Sequence, residues 1–177
     1  NLNYADSVTT PSLLGRSNCY GDSLKNCEIS GRLYSWTAAI DSVELSRQGL
    51  NCGDHALCEM PENVQGICPE GWQLPKLKDF QTLIQHIGTK FTDYPGLKLK
   101  SKVSWKAGGN GTAVDGFSLA SADHKDAPLW IAESKASNSG NGYVYAHYFN
   151  LSYNSDSQGF GIQGTSHKYS VRCLKSK

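Results

Sequence analysis

The chain has 177 residues, 17 basic against 16 acidic side chains and 38% hydrophobic residues. That length fits one domain with a core of its own and is too short for two well-developed ones. The near-neutral balance, with no basic stripe interleaved with aromatics, argues against nucleic acid or an anionic membrane surface as partner. No apolar run approaches the roughly 18 residues a membrane-spanning helix needs, and no charged-then-apolar signal segment opens the chain; because Asn1 stands where an initiator Met would, the chain is expected to be a processed or trimmed product.

Residues 1–18 are polar, carry Thr9-Thr10-Pro11 and show little periodicity; they read as an N-terminal arm that adds an edge strand, ahead of a single domain over 19–177. Leu33, Trp36, Ile40 and Val43 recur at helical spacing and predict an amphipathic first helix after Gly31, ended by Gly49 and Gly53. Leu77, Phe80, Leu83, Ile84 and Ile87 give a second helix its apolar face, with Pro75 at its entry and Gly88 where a C-terminal cap belongs. From Trp105 onward the pattern changes to short strands between Gly, Asn, Ser and Asp clusters: 116–122, 129–133, 143–151, 160–163 and 169–174. Helices first and strands second predict an α+β domain, two helices packed on a mainly antiparallel sheet.

Six cysteines, an even number, fit an oxidising compartment. Cys19 and Cys27 bracket the polar Tyr20-Gly21-Asp22-Ser23 turn, Cys52 and Cys58 bracket Gly53-Asp54-His55, and the spacing leads to the pairs Cys19–Cys27, Cys52–Cys58 and Cys68–Cys173. A zinc reading competes at Cys52, His55 and Cys58, but it lacks a fourth ligand at usual spacing and needs a reducing compartment.

Several motifs occur in one order: Gly31-Arg-Leu-Tyr-Ser-Trp-Thr-Ala-Ala-Ile-Asp-Ser42, Gly66-Ile-Cys-Pro-Glu-Gly-Trp-Gln-Leu-Pro75, Gly116-Phe-Ser118 and Tyr169-Ser-Val-Arg-Cys173. On these the chain resembles the Fibrobacter succinogenes major paralogous domain, from about Cys19 to Leu174. The resemblance implies a secreted or surface-attached bacterial module, lipoprotein- or pilus-associated, with a disulfide-stapled C-type lectin-like fold distantly related to formylglycine-generating enzymes. It also implies a role for Trp130 and Glu133, which match the ends of the family's Trp-Ser-Ser-Thr-Glu stretch; Glu133, beside a buried ring, is expected to pair with Arg172 or Arg32. The chain departs from the pattern after Gly116-Phe117-Ser118, where it reads Leu119-Ala-Ser-Ala-Asp123 in place of Ala-Leu-Pro-Ala-Gly, and in a shorter loop before Trp130.

Between Ser137 and Ser170 the only formal charges are Asp156 and Lys168, and the rest is mostly Ser, Asn, Tyr, Gly and His. Tyrosine offers a large amphipathic face with few rotors to freeze, and Ser, Asn and Gly offer adaptable hydrogen bonds. A carbohydrate asks for the same combination. Strand alternation puts Tyr143, Tyr145 and His147 on one side and Val144, Ala146 and Tyr148 on the other. With Trp130, Glu133, Asn150, Tyr153, Asn154, Asp156 and His167, the first set makes up the expected ligand-binding residues. The same residues also suit a merely solvated sheet.

No catalytic motif is legible around His55, His86, His124, His147 or His167. Formylglycine-generating relatives use paired cysteines near the C-terminus, where only Cys173 stands. Calcium-dependent sugar binding lacks its Glu-Pro-Asn, Gln-Pro-Asp and Trp-Asn-Asp triplets, leaving Asp123, Asp126 and Glu133 as carboxylates that folding would have to gather. The expectation is a non-catalytic module without metal or cofactor. Its partner is a polysaccharide or surface glycan, or a neighbouring subunit of a surface appendage such as a pilin-like head.

Overall fold

The computed structural model describes residues 1–88, 94–113, 116–137 and 142–176. Eight strands follow in chain order: β1 (Ser17–Asn18), β2 (Leu33–Ser35), β3 (Trp72–Gln73), β4 (Leu129–Ala136), β5 (Val144–Leu151), β6 (Gln158–Gly164), β7 (Lys168–Ser170) and β8 (Leu174–Lys175). Among the described residues five α-helices accompany them, α1 (Leu24–Ser30), α2 (Trp36–Ala39), α3 (Ser42–Arg47), α4 (Leu77–Ile87) and α5 (Pro95–Leu99), with short 3-10 turns at Pro11–Leu13 and Tyr20–Asp22. Six strands form one sheet in the order β1-β2-β7-β4-β5-β6, antiparallel except where β4 meets β7, and β3 pairs with β8. The fold is therefore α+β with a mainly antiparallel sheet.

Both faces of the sheet carry a core. One packs Tyr34, Trp36, Ile40, Leu74, Trp130, Ala146 and Val171 together. The other packs Phe80, Leu99, Leu119, Leu129, Ile131, Phe149 and Leu151, with Phe80 and Phe149 stacked at 4.5 Å. Sequence pattern accounts for both: in β5, Ala146 is buried in the first core, while Phe149 and Leu151 point the other way into the second.

The helix expected after Gly31 is instead a strand followed by two short helices. Leu33, Tyr34 and Ser35 pair with β7 on one side, and Leu33 and Tyr34 with β1 on the other, so ladder hydrogen bonds override the helical spacing of the side chains. Ser35 then caps α2 by accepting from the Ala38 N–H at 3.2 Å. Asp41, with φ of 50°, breaks the run and caps α3. Helix α1 starts within the Cys19–Cys27 loop, where the sequence showed only a turn, and runs on past Cys27 to Ser30. The strand expected over 116–122 is reduced to a single bridge between Leu119 and Lys100. Gly88 ends α4 by donating its N–H to Ile84 O at 2.9 Å, in extended rather than left-handed backbone.

The arm docks on the sheet. Leu13 is buried, Leu2 and Tyr4 pack on the first core, and Leu2 donates to Val171 O while accepting from Arg32 N–H, both at 2.9 Å. Tyr34 sits beneath it, its phenol accepting from Tyr4 N–H at 2.7 Å. Burial pushes that phenol up to about 12, so it stays protonated. Among the described residues no helix is long and apolar enough to cross a membrane.

Disulfides join Cys19–Cys27, Cys52–Cys58 and Cys68–Cys173. The last spans 105 residues and lies beside the β3–β8 pairing, where Trp72 meets Lys175 and Gln73 meets Leu174. By loop-closure entropy it contributes about 4–5 kcal/mol, against about 3 kcal/mol or less for each short loop. Denaturant titration of the Cys68→Ser, Cys173→Ser double variant is expected to show that larger loss. A loss no greater than that from removing Cys19–Cys27 contradicts it.

Candidate functional site

Two clefts open near the two ends of β5. The first, about 510 Å³, is lined by Asp54, His55, Tyr143, Tyr145, Gln163 and His167, with Thr165 in its wall. Three separate segments build it. The Cys52–Cys58 disulfide closes a short loop whose Gly53 N–H bonds Ala56 O at 3.1 Å, which presents Asp54 and His55. The turn after β6 is closed by His167 N–H donating to Gly164 O at 3.0 Å and tied to the core by Trp36 N–H donating to Thr165 O at 2.9 Å. The start of β5 supplies Tyr143 and Tyr145.

Hydrogen bonds lock these walls together. The Thr165 hydroxyl donates to Asp54 Oδ1 at 2.6 Å, and Val144 N–H reaches Asp54 O at 3.4 Å. Asp54 is thus engaged as a structural acceptor, with one bond tying its loop to the turn and one tying it to β5. The His55 and Tyr143 rings lie 5.2 Å apart, tilted, and form one amphipathic rim. Cys52 and Cys58 are joined to each other, so the zinc reading of that loop loses both thiolates.

The second cleft, about 410 Å³, is lined by Tyr20, Tyr148, Tyr169, Asp123, Asp126 and Lys168, with Asn150 beside them. Tyr169 packs on Trp130 at 4.5 Å and meets Tyr148 edge-on at 5.1 Å. Tyr148 in turn lies across Gly161, where a Cβ would come within 2.6 Å of its ring. A side chain at Gly161 would displace that ring, which explains the glycine in mid-strand.

The expected ligand residues are distributed as follows. Tyr143, Tyr145 and His167 line the first cleft, and Asn150 lines the second. Trp130 has no exposed surface; its indole N–H donates to Tyr34 O at 2.7 Å, which places it in the core. Glu133 pairs with neither arginine. Its Oε1 accepts the Leu77 N–H at 3.0 Å and so caps α4, where a carboxylate also complements the helix dipole. Arg172 lies 4.4 Å over the Phe117 ring, and Arg32 points at the Cys19 sulfur.

His147 is half-buried opposite Ile162. Tyr153, Asn154 and Asp156 belong to a different cluster, the loop around the buried Lys100. The Lys100 ammonium donates to Ser152 O and Ser155 O at 3.2 and 2.9 Å and lies 3.5 Å from Asp156, while the Tyr153 ring faces Lys106. Residues 138–141 of the tyrosine-rich stretch lie outside the described residues. Asp54, His55, Gln163 and Thr165 also line the first cleft and are not among the residues expected from the sequence, which offers the Cys52 to Cys58 loop only as a competing metal motif.

The Fibrobacter succinogenes major domain family matches residues 1–175. The chain belongs to that family. Comparison with curated proteins and with solved structures gave no match. Three disulfides in a member of this bacterial family fit an oxidising compartment.

Asp123 organises the loop at the second cleft. Burial raises its carboxyl pKa, but the N–H groups of Asp126 and Lys125, both at 2.8 Å, and the Ser121 hydroxyl at 3.0 Å outweigh that and hold it below the ordinary aspartate value. A depressed carboxyl stabilises the fold above the unfolded value of about 3.9 and loses that contribution as pH falls through its lower folded value. NMR titration is expected to give Asp123 a midpoint below 3.9 (about that of a free aspartate), with Lys125 and Asp126 amides losing protection as it protonates. A midpoint at or above the free-aspartate value contradicts it.

Proposed function

We propose that this protein is a non-catalytic, extracellular recognition module of the bacterial surface, built on a C-type lectin-like scaffold, and that it binds carbohydrate in the first cleft. The observation that carries the reading is the meeting of a disulfide loop, a strand start and a core-anchored turn around tyrosine, histidine and glutamine side chains. Aromatic faces suit the apolar C–H patches of a sugar ring, and neutral polar groups suit its hydroxyls. The walls are held by covalent and hydrogen-bonded links before any ligand arrives, which lowers the ordering cost of binding. Asp54, the cleft's carboxylate, is engaged by Thr165, which supports recognition over acid–base chemistry. The lectin-like scaffold is supported by the way the tail is held: Val171 accepts from Leu2 N–H, and Cys173 is joined to mid-chain Cys68.

A glycan array and a pull-down on insoluble cellulose test this. Tyr145→Ala and His167→Ala are expected to weaken binding about tenfold or more, the scale of losing a buried interface anchor, while Tyr153→Ala, outside the cleft, leaves it unchanged. Binding that is indifferent to both cleft variants, or no retention of any glycan, overturns the reading.

A second reading, an assembly subunit of a surface appendage, draws on β6. This strand is the last in the sheet, pairs with β5 in unbroken register over seven residues, and contains no charged residue or proline. It leaves Phe160 and Ile162 more than two-fifths exposed. Sheet edges are ordinarily blunted by Lys, Pro or a bulge, and among the described residues no strand pairs with the outer side of this one. Sedimentation velocity is expected to show concentration-dependent oligomers that Ile162→Lys dissolves; a monomer at all concentrations rules the reading out.

A further inference from the structure

The second cleft differs from the first in charge. Two carboxylates, Asp123 and Asp126, face one ammonium, Lys168, and among the described residues no ion pair joins them. The wall therefore keeps a net negative charge beside three tyrosines.

Asp126 is exposed yet fixed. Its N–H donates to Asp123 Oδ1 at 2.8 Å, its carbonyl accepts from the Ser121 hydroxyl at 2.8 Å, and its backbone bridges to Ser152. The Asn150 amide donates to Asp126 Oδ1 at 3.4 Å, which orients the carboxylate and leaves Oδ2 without a protein donor among the described residues. The rings opposite are equally constrained, Tyr169 on Trp130 and Tyr148 on Gly161. A carboxylate held still beside aromatic faces is the chemistry that selects an organic cation, because the ring quadrupole and the charge attract the same group. An anionic sugar is repelled by the same wall.

We propose that this cleft binds the primary ammonium of an amino sugar, with Asp126 Oδ2 accepting from the ammonium and Tyr148 and Tyr169 packing on the sugar ring. The proposal rests on the carbohydrate reading only for the ring that carries the amine; the cleft and its residues are separate from those of the first site. Lys168 opposes the bound cation and limits its affinity.

The test is calorimetric titration of the full chain with tetramers of glucosamine, N-acetylglucosamine and glucose at pH 6. The wild type is expected to prefer the free-amine tetramer by about tenfold over the acetylated one, the scale of one hydrogen bond to a charged group. Asp126→Asn is expected to erase that preference, Lys168→Gln to enlarge it, and Tyr145→Ala to leave it intact. The enlargement in Lys168→Gln is a gain that misfolding cannot imitate. Equal affinity for the amine and acetylated tetramers, a preference that survives Asp126→Asn, or one lost instead in Tyr145→Ala overturns the proposal. So does binding of a lysine-rich peptide without binding of the amino sugar. Glycan binding that depends on Tyr145 but ignores the amine defeats this inference and leaves the first reading standing. An amine preference with no glycan sensitive to Tyr145 does the reverse.

Discussion

Between Trp130 and Ser134 of β4, three residues face a single residue of β5: Trp130 lies opposite Tyr148 and Ser134 opposite Ala146. Residues 131–133 thereby leave that ladder, and their polar groups find partners elsewhere. Ile131 O accepts the Trp36 indole N–H at 2.9 Å, Ala132 N–H donates to Pro75 O at 2.9 Å, and Glu133 caps α4. A buried backbone group without a partner costs on the order of 1–3 kcal/mol, so this bulge is possible only because α2 and the entry to α4 sit where they do. Trp130 completes the arrangement by donating to Tyr34 O, so that each buried indole satisfies a carbonyl close to the other in sequence. The helices and the sheet are locked to one another at this point, and both clefts are built around the strand that pairs with the bulge.

The long disulfide acts at a different level. It does little to shape either cleft, since Cys68 and Cys173 line neither, but it holds the tail against mid-chain where β3 and β8 pair over two residues only. A ladder that short is not stable by itself. Closing the loop in the unfolded chain makes it persist, and with it the position of Val171, which is fully buried and accepts the hydrogen bond of the N-terminal arm.

The two clefts illustrate how neighbouring sites on one strand acquire different chemistry. At the start of β5 the cross-connections come from neutral groups, the Thr165 hydroxyl and backbone amides, and the single carboxylate is engaged. At its end the loop from Ser121 to Asp126 folds on the carboxylate of Asp123 and brings a second one forward. The difference arises from two loops distant in sequence, around residue 54 and residue 123, that reach opposite ends of the same strand.

Much of the scaffold was legible beforehand. The apolar face of α4 repeats at helical spacing, the alternation in β5 assigns its buried residues to opposite faces, and the cysteine spacing separates two short loops from one long closure; each depends on local period or chain length. The region from Gly31 to Val43 misled because apolar residues at helical spacing also fit a strand that runs into a helix, and only the partners β1 and β7 settle which forms. Trp130 and Glu133 looked like ligand contacts for a related reason: a buried indole and an exposed one are the same letter, and a carboxylate that caps a helix 56 residues away in sequence leaves no local trace. Composition by itself determined that the C-terminal half is rich in tyrosine and poor in charge. Which of those tyrosines meet Asp54, His55 or Asp126 was decided by the tertiary structure, because sites gathered from loops far apart in sequence exist only after the chain has closed on itself.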